Sequence, residues 1–271
     1  MEMSFCPLYS GSSGNALFVR YGDTGLLIDA GKPGRTLTEA LRHIDVAPET
    51  LSGILVTHEH SDHVSGVGVM ARKYHLPIYA TAGTWKGMAG KNLGEIPAEL
   101  KREIRPEEDF YLGQMNILPF SIPHDAAQPV GYRIACGGMS VSTATDLGHF
   151  SRRVFDHIRG SSLVLLESNH DPDLLRANPH YSAWLKQRIL GDHGHLSNEA
   201  CGEALVRLTE TGTRCVILGH LSGENNRPDL AMAVSTAAAE RAGIRPGTDI
   251  RLDIALRDTP GSVYTMRERA E

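Results

Sequence analysis

Residues 57–63 read Thr57-His58-Glu59-His60-Ser61-Asp62-His63 and place three histidines and two carboxylates in six consecutive positions. An apolar run from Gly53 to Val56 comes before the stretch and is typical of a buried strand. The segment from Val64 to Tyr74, which follows it, predicts a helix with small and apolar residues on one side. The cluster therefore lies where a strand ends and a helix begins.

The spacing within this cluster suits metal binding. In extended backbone His58 and His60 project to the same side, so their imidazoles can share one ion. Asp62 and His63 come after the chain turns and therefore suit a second ion nearby. Imidazole nitrogen with carboxylate oxygen favours zinc, and manganese or iron also fits this donor set. The alternative is a solvated polar loop, but such loops rarely concentrate histidine in this way.

Composition bounds the class of protein. The chain has 271 residues, of which 41% are hydrophobic and 22% charged, and this suits one large globular domain or two small ones. We find no apolar run of the roughly 20 residues that a membrane span requires. The first residues lack a basic region followed by an apolar core, so we expect no signal peptide.

Charge and cysteine usage narrow the class further. The four cysteines are scattered, which predicts buried thiols in a reducing cytoplasm rather than a disulfide framework. The formal net charge of −5 argues against broad attraction to nucleic acid but leaves room for a local basic groove. The polar segment over residues 84–108 is interpreted as helix and loop on the surface.

Several apolar runs end in a residue that can bind a metal or move a proton. The six residues at these ends are Asp29, His58, His124, Asp146, Glu167 and His220. A lone histidine after a strand is usually structural. In open α/β sheets, however, ligands gather beyond one edge of the strands, so several such residues together predict one shared site.

A glycine- and serine-rich loop precedes the strand that begins at Ala16. It reads Tyr9-Ser10-Gly11-Ser12-Ser13-Gly14-Asn15. Glycines let backbone amides approach an anion, and serine hydroxyls add donors. A plain hairpin turn explains the same composition, and the loop lacks the Lys-Ser/Thr ending of a nucleotide-binding P-loop.

The order and spacing of these residues resemble the metallo-β-lactamase superfamily. Its signature has an aspartate after an early strand, then His-x-His-x-Asp-His, then a later His, Asp and His. The matching residues in this chain are Asp29, His58, His60, Asp62, His63, His124, Asp146 and His220. The resemblance implies an α/β fold, a four-layer αβ/βα sandwich in a single domain over residues 1–271, with two metals at one edge of its sheets.

The resemblance also implies which residues bind each of two divalent metal ions. The first ion takes His58, His60 and His124. The second takes Asp62, His63 and His220, while Asp146 bridges the two. Asp29 is expected to support the cluster without binding metal. His60 stands where flavodiiron proteins carry glutamate, which favours zinc.

Four further segments resemble the WalJ (YycJ) exonuclease group of this superfamily. They are residues 10–15, Leu166-Glu-Ser-Asn-His-Asp171, Gly194-His-Leu-Ser-Asn198 and Gly219-His-Leu-Ser-Gly-Glu-Asn-Asn226. This resemblance implies a cytoplasmic exonuclease that acts on DNA from a 5′ end, with no membrane partner. Oligomeric state and the choice between DNA and RNA do not follow from the residues.

The reaction expected on this basis is phosphodiester hydrolysis by a water that two metals acidify. Asp62 would hold a metal and orient the attacking hydroxide. His195 would contact the scissile phosphate or protonate the leaving oxygen, with His193 as the competing choice. Ser197 or Asn198 would cap the next helix, whose N-terminus can receive a phosphate. A pocket for a terminal 5′-phosphate would be completed by Ser10, Ser12 and Asn15.

Two other functions fit the same residues. One is a hydrolase of a small thioester, lactone or cyclic nucleotide, which would have a closed apolar pocket. The other is a regulatory binding protein that keeps a structural metal, although structural sites use cysteine more often. A groove lined by basic side chains would favour nucleic acid, and the candidates are Arg20, Arg35, Lys73, Arg152 and Arg227.

Overall fold

The structure is a computed structural model that describes residues 1–268 and divides into two compact units. Unit 1 comprises Met1–Ser121, Ala126–Met139 and Leu256–Glu271, and unit 2 comprises Ile122–Asp125 and Ser140–Ala255. A single domain over residues 1–271 stays a prediction, and residues 269–271 lie outside the described part of the chain.

The described strands form two mixed sheets. The strands are β1 Glu2–Tyr9, β2 Ala16–Tyr21, β3 Thr24–Ile28, β4 Leu51–Leu55, β5 Ile78–Thr81, β6 Lys101–Ile104, β7 Phe110–Leu112, β8 Met115–Ser121, β9 Val130–Cys136, β10 Met139–Ala144, β11 Leu163–Glu167, β12 Cys215–Gly219, β13 Arg251–Ile254 and β14 Tyr264–Arg267. The α-helices are α1 Gly34–His43, α2 Ser61–Val64, α3 Val67–Tyr74, α4 Ala82–Met88, α5 Arg152–Ile158, α6 Pro172–Ala177, α7 Ala183–Leu190, α8 Asn198–Glu210 and α9 Pro228–Arg241. The predicted α/β class is therefore confirmed.

Unit 1 contains a sheet with the strand order β14-β1-β2-β3-β4-β5-β6. Pairing is antiparallel from β14 to β3 and parallel from β3 to β6. Its core buries Leu27 and Ile54 of the sheet together with Leu37 and Leu41 of α1 and Met70 of α3. Each such side chain contributes about 1.5–3 kcal/mol through burial, so this core holds the sheet edge that carries residues 57–63.

The parallel pair β3–β4 brings Asp29 beside the histidine stretch. Ile28 and Leu55 are register partners, and the Asp29 amide donates to the Leu55 carbonyl oxygen at 2.7 Å. The residues that follow both strands therefore emerge at the same edge of the sheet. Within unit 1 this confirms the predicted gathering of Asp29 and His58 at strand ends.

Unit 2 repeats this arrangement in the parallel strands β10, β11, β12 and β13. Ala144 pairs with Leu166, and Glu167 pairs with Gly219. The chain then leaves β10 toward Asp146 and leaves β12 directly into His220, on the same side as Glu167. Parallel strands thus place these three side chains at one carboxyl edge, as the sequence pattern predicts.

The segment after the histidine stretch differs from the prediction of one helix from Val64 to Tyr74. It forms two helices, α2 and α3, because the Gly66 amide donates to the Ala30 carbonyl oxygen at 2.8 Å instead of continuing the first helix. A Cβ at Gly66 would lie 2.2 Å from the Lys32 carbonyl oxygen, so the close approach requires glycine. Residues 84–108 also differ from the interpretation as helix and loop, because they include strand β6.

The sequence predicts no membrane-spanning segment and no disulfide framework. In residues 1–268 we find no helix that combines the length and the apolar character needed to cross a membrane. The four cysteines are free thiols, with Cys6 and Cys201 buried.

Gly31 provides a test of how the loop at Asn15 is held to the histidine stretch. A Cβ at Gly31 would lie 1.6 Å from the Asp62 carbonyl oxygen and 2.6 Å from the Asn15 amide nitrogen. We expect Gly31→Ala to lower the free energy of unfolding by about 2–3 kcal/mol, because backbone must move to admit the methyl group. Urea unfolding followed by circular dichroism measures this change.

Gly90→Ala is the matched control, since a Cβ there meets no atom within 4 Å. Its free energy of unfolding should stay within about 0.5 kcal/mol of the original protein. Equal stability of the two variants would show that the contact at Gly31 does not constrain the fold.

Candidate metal centre

In unit 1 a buried carboxylate holds the histidine stretch. Asp29 Oδ1 accepts the backbone amide of Thr57, and Asp29 Oδ2 accepts the Thr57 hydroxyl, each at 2.8 Å. The same Oδ2 lies 2.8 Å from His63 Nδ1. Thr57 Oγ1 in turn lies 3.0 Å from His58 Nδ1. Asp29 is therefore connected to both His58 and His63, as the predicted supporting role requires.

These contacts assign the tautomers of two histidines. The Thr57 hydroxyl proton is donated to Asp29, so His58 Nδ1 must carry the proton that lies between it and Thr57 Oγ1. His63 Nδ1 likewise donates to the Asp29 carboxylate. Both imidazoles therefore keep the Nε2 lone pair for another partner, which is the form that binds metal ions.

The remaining residues of unit 1 surround His63 Nε2. Asp62 Oδ2 lies 3.6 Å from this nitrogen, so the two atoms can bind the same ion. Asn15 Nδ2 lies 3.0 Å from His63 Nε2 and 3.4 Å from Asp62 Oδ2. The rings of His58 and His60 are edge to face with centroids 4.6 Å apart. Four of the predicted ligands are thus adjacent within unit 1.

The Ser10–Asn15 loop is tied to the same place by backbone contacts. The Asn15 amide donates to the Asp62 carbonyl oxygen at 2.7 Å, and Asn15 Oδ1 accepts the Gly11 amide at 2.9 Å. Ser10 is buried, whereas Ser12 is exposed. The loop therefore places Asn15 at the candidate ligands and Ser12 on the surface.

In unit 2 a second buried carboxylate organises the cluster. Glu167 Oε1 lies 2.8 Å from His195 Nδ1 and 2.8 Å from His220 Nδ1. Glu167 Oε2 accepts the backbone amides of Leu147 at 2.6 Å and Leu196 at 3.2 Å. Atoms of Asp146, Glu167, His195 and His220 that can bind a metal lie within 4.8 Å of one another.

The contacts of Glu167 give His195 and His220 the same tautomer that the contact with Asp29 gives His63. A carboxylate only accepts, so His195 and His220 donate through Nδ1 and keep Nε2 as the lone-pair nitrogen. His124 Nδ1 lies 3.3 Å from the Gly194 carbonyl oxygen, which gives it the same form. His124 Nε2 lies 3.8 Å from Asp146 Oδ1. The donor set of unit 2 is thus imidazole nitrogen with carboxylate oxygen.

Burial and neighbouring charges shift the acid–base properties of this cluster. Burial would raise the pKa of Glu167, but the charges and hydrogen bonds of His195 and His220 outweigh it and hold the pKa below the usual range. Burial lowers the pKa of His124, against the opposing charge of Asp146. In unit 1 burial raises the pKa of Asp29, and the hydrogen bonds from His63 and Thr57 oppose the rise.

Three predicted site residues have left-handed backbone. Asp29, Asp146 and His220 have φ angles of 62°, 59° and 54°. Residues other than glycine rarely adopt this region, although aspartate and histidine do so more readily than most. Such conformations concentrate at functional sites, where the surrounding structure compensates their cost.

The predicted substrate-contacting residues of unit 2 lie in different environments. Ser197 is the N-cap of α8, and its hydroxyl accepts the Ala200 amide. Asn198 is fully buried, and its side chain bonds to Ser168 and Asn226. His193 is exposed, while His195 lies in the Glu167 cluster. The geometry thus favours His195 over His193 as the histidine at the site.

The residues present fit divalent metal ions in both units. In each unit, imidazole Nε2 lone pairs and carboxylate oxygens lie side by side, and buried carboxylates orient the imidazoles. Thr57 has no role in the pattern of residues at strand ends, and Glu167 enters that pattern only as one of the ends. The available signal for Glu167 was its position after an apolar run, shared with the predicted ligands.

Three of the arginines considered for a nucleic-acid groove form ion pairs with nearby carboxylates. Arg35 pairs with Glu39 at 2.9 Å, Arg152 with Asp156 at 2.8 Å and Arg227 with Asp229 at 3.4 Å. Each partner is a near neighbour in sequence. These three cations therefore do not by themselves mark a surface for nucleic acid.

Comparison of the chain with known protein folds identifies structures that resemble it throughout. The metallo-β-lactamase fold protein YhfI from Bacillus subtilis has a TM-score of 0.71 at 16% identity, over 98% of this chain and 100% of that one. Zn(2+)-bound PqqB from Methylobacterium extorquens has a TM-score of 0.70 at 16% identity, over 96% of this chain and 99% of that one. At such identities these similarities show the fold alone.

Similarity in amino-acid sequence identifies the family as well as the fold. A family model described as a beta-lactamase superfamily domain matches residues 24–221. Exodeoxyribonuclease WalJ from Streptococcus pneumoniae serotype 2 (strain D39 / NCTC 7466) is 40% identical over 254 residues, 93% of this chain and 94% of that protein. Exodeoxyribonuclease YycJ from Bacillus anthracis is 38% identical over 242 residues, 89% of this chain and 91% of that protein. The chain therefore belongs to the β-lactamase superfamily, in the family that contains the WalJ and YycJ exodeoxyribonucleases.

Proposed function

We propose that this protein is a metal-dependent exodeoxyribonuclease that hydrolyses phosphodiester bonds of DNA from a 5′ end. The observation that carries the proposal is the cluster of Asp146, Glu167, His195 and His220, in which the buried Glu167 carboxylate orients the two imidazoles. The names of the relatives supply the substrate class, because both are exodeoxyribonucleases that match most of this chain.

The proposed ligands follow the family signature. His58, His60 and His124 would hold one ion, and Asp62, His63 and His220 would hold the other, with Asp146 as the ligand proposed to serve both. Asp29 supports the ligands of unit 1 through its bonds to Thr57 and His63. Zinc is the proposed metal, because nitrogen-rich sets of histidine and carboxylate suit it best, with manganese or iron as alternatives.

When bound, these ions supply a water of lowered pKa and offset the charge that develops on the phosphate oxygens. Asp62 orients the attacking group through its carboxylate. His195 contacts the scissile phosphate or protonates the leaving oxygen through Nε2, while Glu167 Oε1 accepts the hydrogen bond from Nδ1 and holds the ring in place. His195 is partly exposed, so its imidazole can reach substrate. Glu167, which holds this imidazole, is fully buried.

Five residues are proposed for the contacts with the 5′-phosphate. Ser10, Ser12 and Asn15 act in unit 1, where Asn15 already lies at His63 and Asp62. Ser197 and Asn198 act in unit 2 at the start of α8, where backbone amides favour an anion. The buried Asn198 side chain contributes by holding this helix start to Ser168. We also propose a cytoplasmic location, because the scattered free cysteines indicate a reducing compartment.

The first test is degradation of end-labelled DNA and RNA, with and without a 5′-phosphate, by metal-loaded protein. We expect metal-dependent shortening of DNA from the 5′ end. His58→Ala removes a proposed ligand and should lower the rate by at least about 100-fold. A protein that carries two metals per chain yet leaves every substrate intact would contradict the proposal and favour a small-molecule hydrolase.

Glu167→Gln tests the support of two histidines without changing the volume of the side chain. The amide oxygen can accept two of the four present donors, but the NH2 group can accept neither of the other two. Either the two imidazoles or the backbone amides of Leu147 and Leu196 therefore lose their acceptor, and His195 and His220 lose orientation. We expect the rate of DNA hydrolysis to fall about 10–100-fold, with weaker metal binding. Glu210→Gln, at the exposed end of α8, is the control and should keep both properties.

His195→Ala separates catalysis from metal binding. We expect metal content to stay at the original value while turnover falls about 100-fold or more, since proton transfer is lost. His193→Ala changes an exposed neighbour and should retain full turnover. Loss of metal in the His195 variant would instead identify His195 as a ligand, and equal loss of activity in both variants would remove the distinction between them.

A further inference from the structure

Helix α7 of unit 2 carries an exposed tryptophan. Trp184 is 70% exposed, although burial of an indole is among the largest apolar gains that a side chain offers. All residues of Ala183–Leu190 are described, and none of them is buried; Leu185 and Ile189 form the half-buried side. The outer side of a surface helix normally carries polar residues. An indole in this position therefore indicates a surface that contacts a partner.

Two contacts hold α7 to the candidate site. The Ile189 carbonyl oxygen accepts the amide of His195 at 2.9 Å, and Arg188 forms an ion pair through Nε with Asp125. Asp125 Oδ1 in turn lies 3.5 Å from Nε2 of His124, which is one of the proposed metal ligands. Because α7 is fixed at these points, its outer side lies at a set distance from the candidate ligands.

Arg188 can bind a phosphate beside Trp184. Residues four apart in a helix are neighbours on its surface, so the two side chains adjoin. A guanidinium has five N–H donors, and the bond to Asp125 uses the one on Nε. The side chain of Arg188 is 42% exposed, so the donors on its two terminal nitrogens can reach a phosphate, whose geometry they match. Trp184 and Arg188 thus combine a flat apolar ring with a cation.

Single-stranded DNA fits this surface better than a second protein does. A stable protein interface buries about 1,200–2,000 Å² around an apolar centre, but the exposed residues one turn from Trp184 are Gln187 and Arg188. Helix α7 has two cations, Lys186 and Arg188, and no carboxylate, which favours an anionic partner. Proteins stack the bases of single strands on aromatic rings beside cations. In a duplex, neighbouring base pairs cover the faces of the bases.

We propose that Trp184 stacks on a base of single-stranded DNA, with the adjoining phosphate at Arg188. This role rests on the proposed function, because an enzyme that removes nucleotides from a 5′ end leaves the remaining strand on the 3′ side of the cleaved bond. Arg188 and Asp125 lie between Trp184 and the ligand His124, so the stacked base lies beyond the two nucleotides at that bond. Trp184 thus holds the remaining strand and favours single-stranded 5′ ends.

The binding experiment uses metal-loaded protein and a labelled single strand of about 15 nucleotides, with phosphorothioate linkages that resist hydrolysis. Fluorescence anisotropy of the strand gives Kd. Stacking of a base quenches indole fluorescence, and the chain has two tryptophans, Trp85 and Trp184. The variants are Trp184→Ala and Trp184→Phe, which keeps an aromatic ring. Tyr111→Ala is the matched control, because Tyr111 is 67% exposed and belongs to unit 1.

We expect the strand to quench the fluorescence of the original protein, and Trp184→Phe to abolish the quenching. Trp184→Ala should raise the Kd about tenfold or more, and Trp184→Phe should recover part of the affinity. Tyr111→Ala should match the original protein. Because Trp184 is exposed, its variants should keep the original Tm and metal content.

Hydrolysis of two unmodified substrates separates strand binding from a structural role. A single strand of about 15 nucleotides reaches α7, whereas a dinucleotide contains only the two nucleotides at the cleaved bond. Trp184→Ala should raise KM for the long strand about tenfold, with kcat within about threefold. Both constants for the dinucleotide should stay at their original values.

Arg188→Gln tests the phosphate contact. Loss of one phosphate contact should reduce the slope of log Kd against log salt concentration by about 0.7, whereas Trp184→Ala should leave the slope unchanged. Metal content of the Arg188 variant is measured in parallel, because Asp125 adjoins the proposed ligand His124. An unchanged slope in a variant with full metal content would overturn the contact at Arg188.

Unchanged Kd and KM for the long strand in Trp184→Ala would overturn the proposed surface, even if DNA is degraded normally. An equal rise of KM for both substrates would also overturn it, since the dinucleotide does not reach α7. A dimer that Trp184→Ala converts to a monomer would assign the surface to a second copy of the chain instead. If Trp184 binds the strand but no substrate is degraded, the surface stands and the proposed nuclease function fails.

Discussion

The bond from a histidine Nδ1–H to a buried carboxylate is the interaction on which each unit's part of the candidate site depends. Asp29 accepts it from His63, and Glu167 accepts it from His195 and His220. The bond selects one tautomer and one ring orientation, so the opposite nitrogen presents a lone pair. It also gives each buried carboxylate the donors that offset its loss of water.

Parallel strand pairing explains why these carboxylates are where they are needed. In unit 1 the pairing of Ile28 with Leu55 sets Asp29 beside the start of the histidine stretch. In unit 2 the pairing of Glu167 with Gly219 sets this carboxylate beside His220. Both contacts follow from strand register and need no long loop to be ordered. The rigid part of the fold therefore positions the candidate metal ligands, whereas the proposed contacts with substrate come mostly from loops.

The sequence allows the ligand-bearing strand ends to be predicted, because their residue types and spacing are local properties. It does not reveal the role of Thr57 or Glu167, since that role consists of hydrogen bonds to residues distant in sequence. The division of the predicted helix at Gly66 depends on a bond to Ala30, which helical periodicity does not encode.

The left-handed backbone at Asp29 and Asp146 limits what alanine scanning can report on these positions. Alanine removes the carboxylate but also introduces a residue that pays about 1–2 kcal/mol for this conformation. Asparagine tolerates the same φ and keeps the side-chain shape while removing the charge. A screen that uses alanine alone would thus mix backbone strain with electrostatics, whereas isosteric amide replacement isolates the charge. The backbone geometry, more than the chemistry, decides which substitutions are informative at these positions.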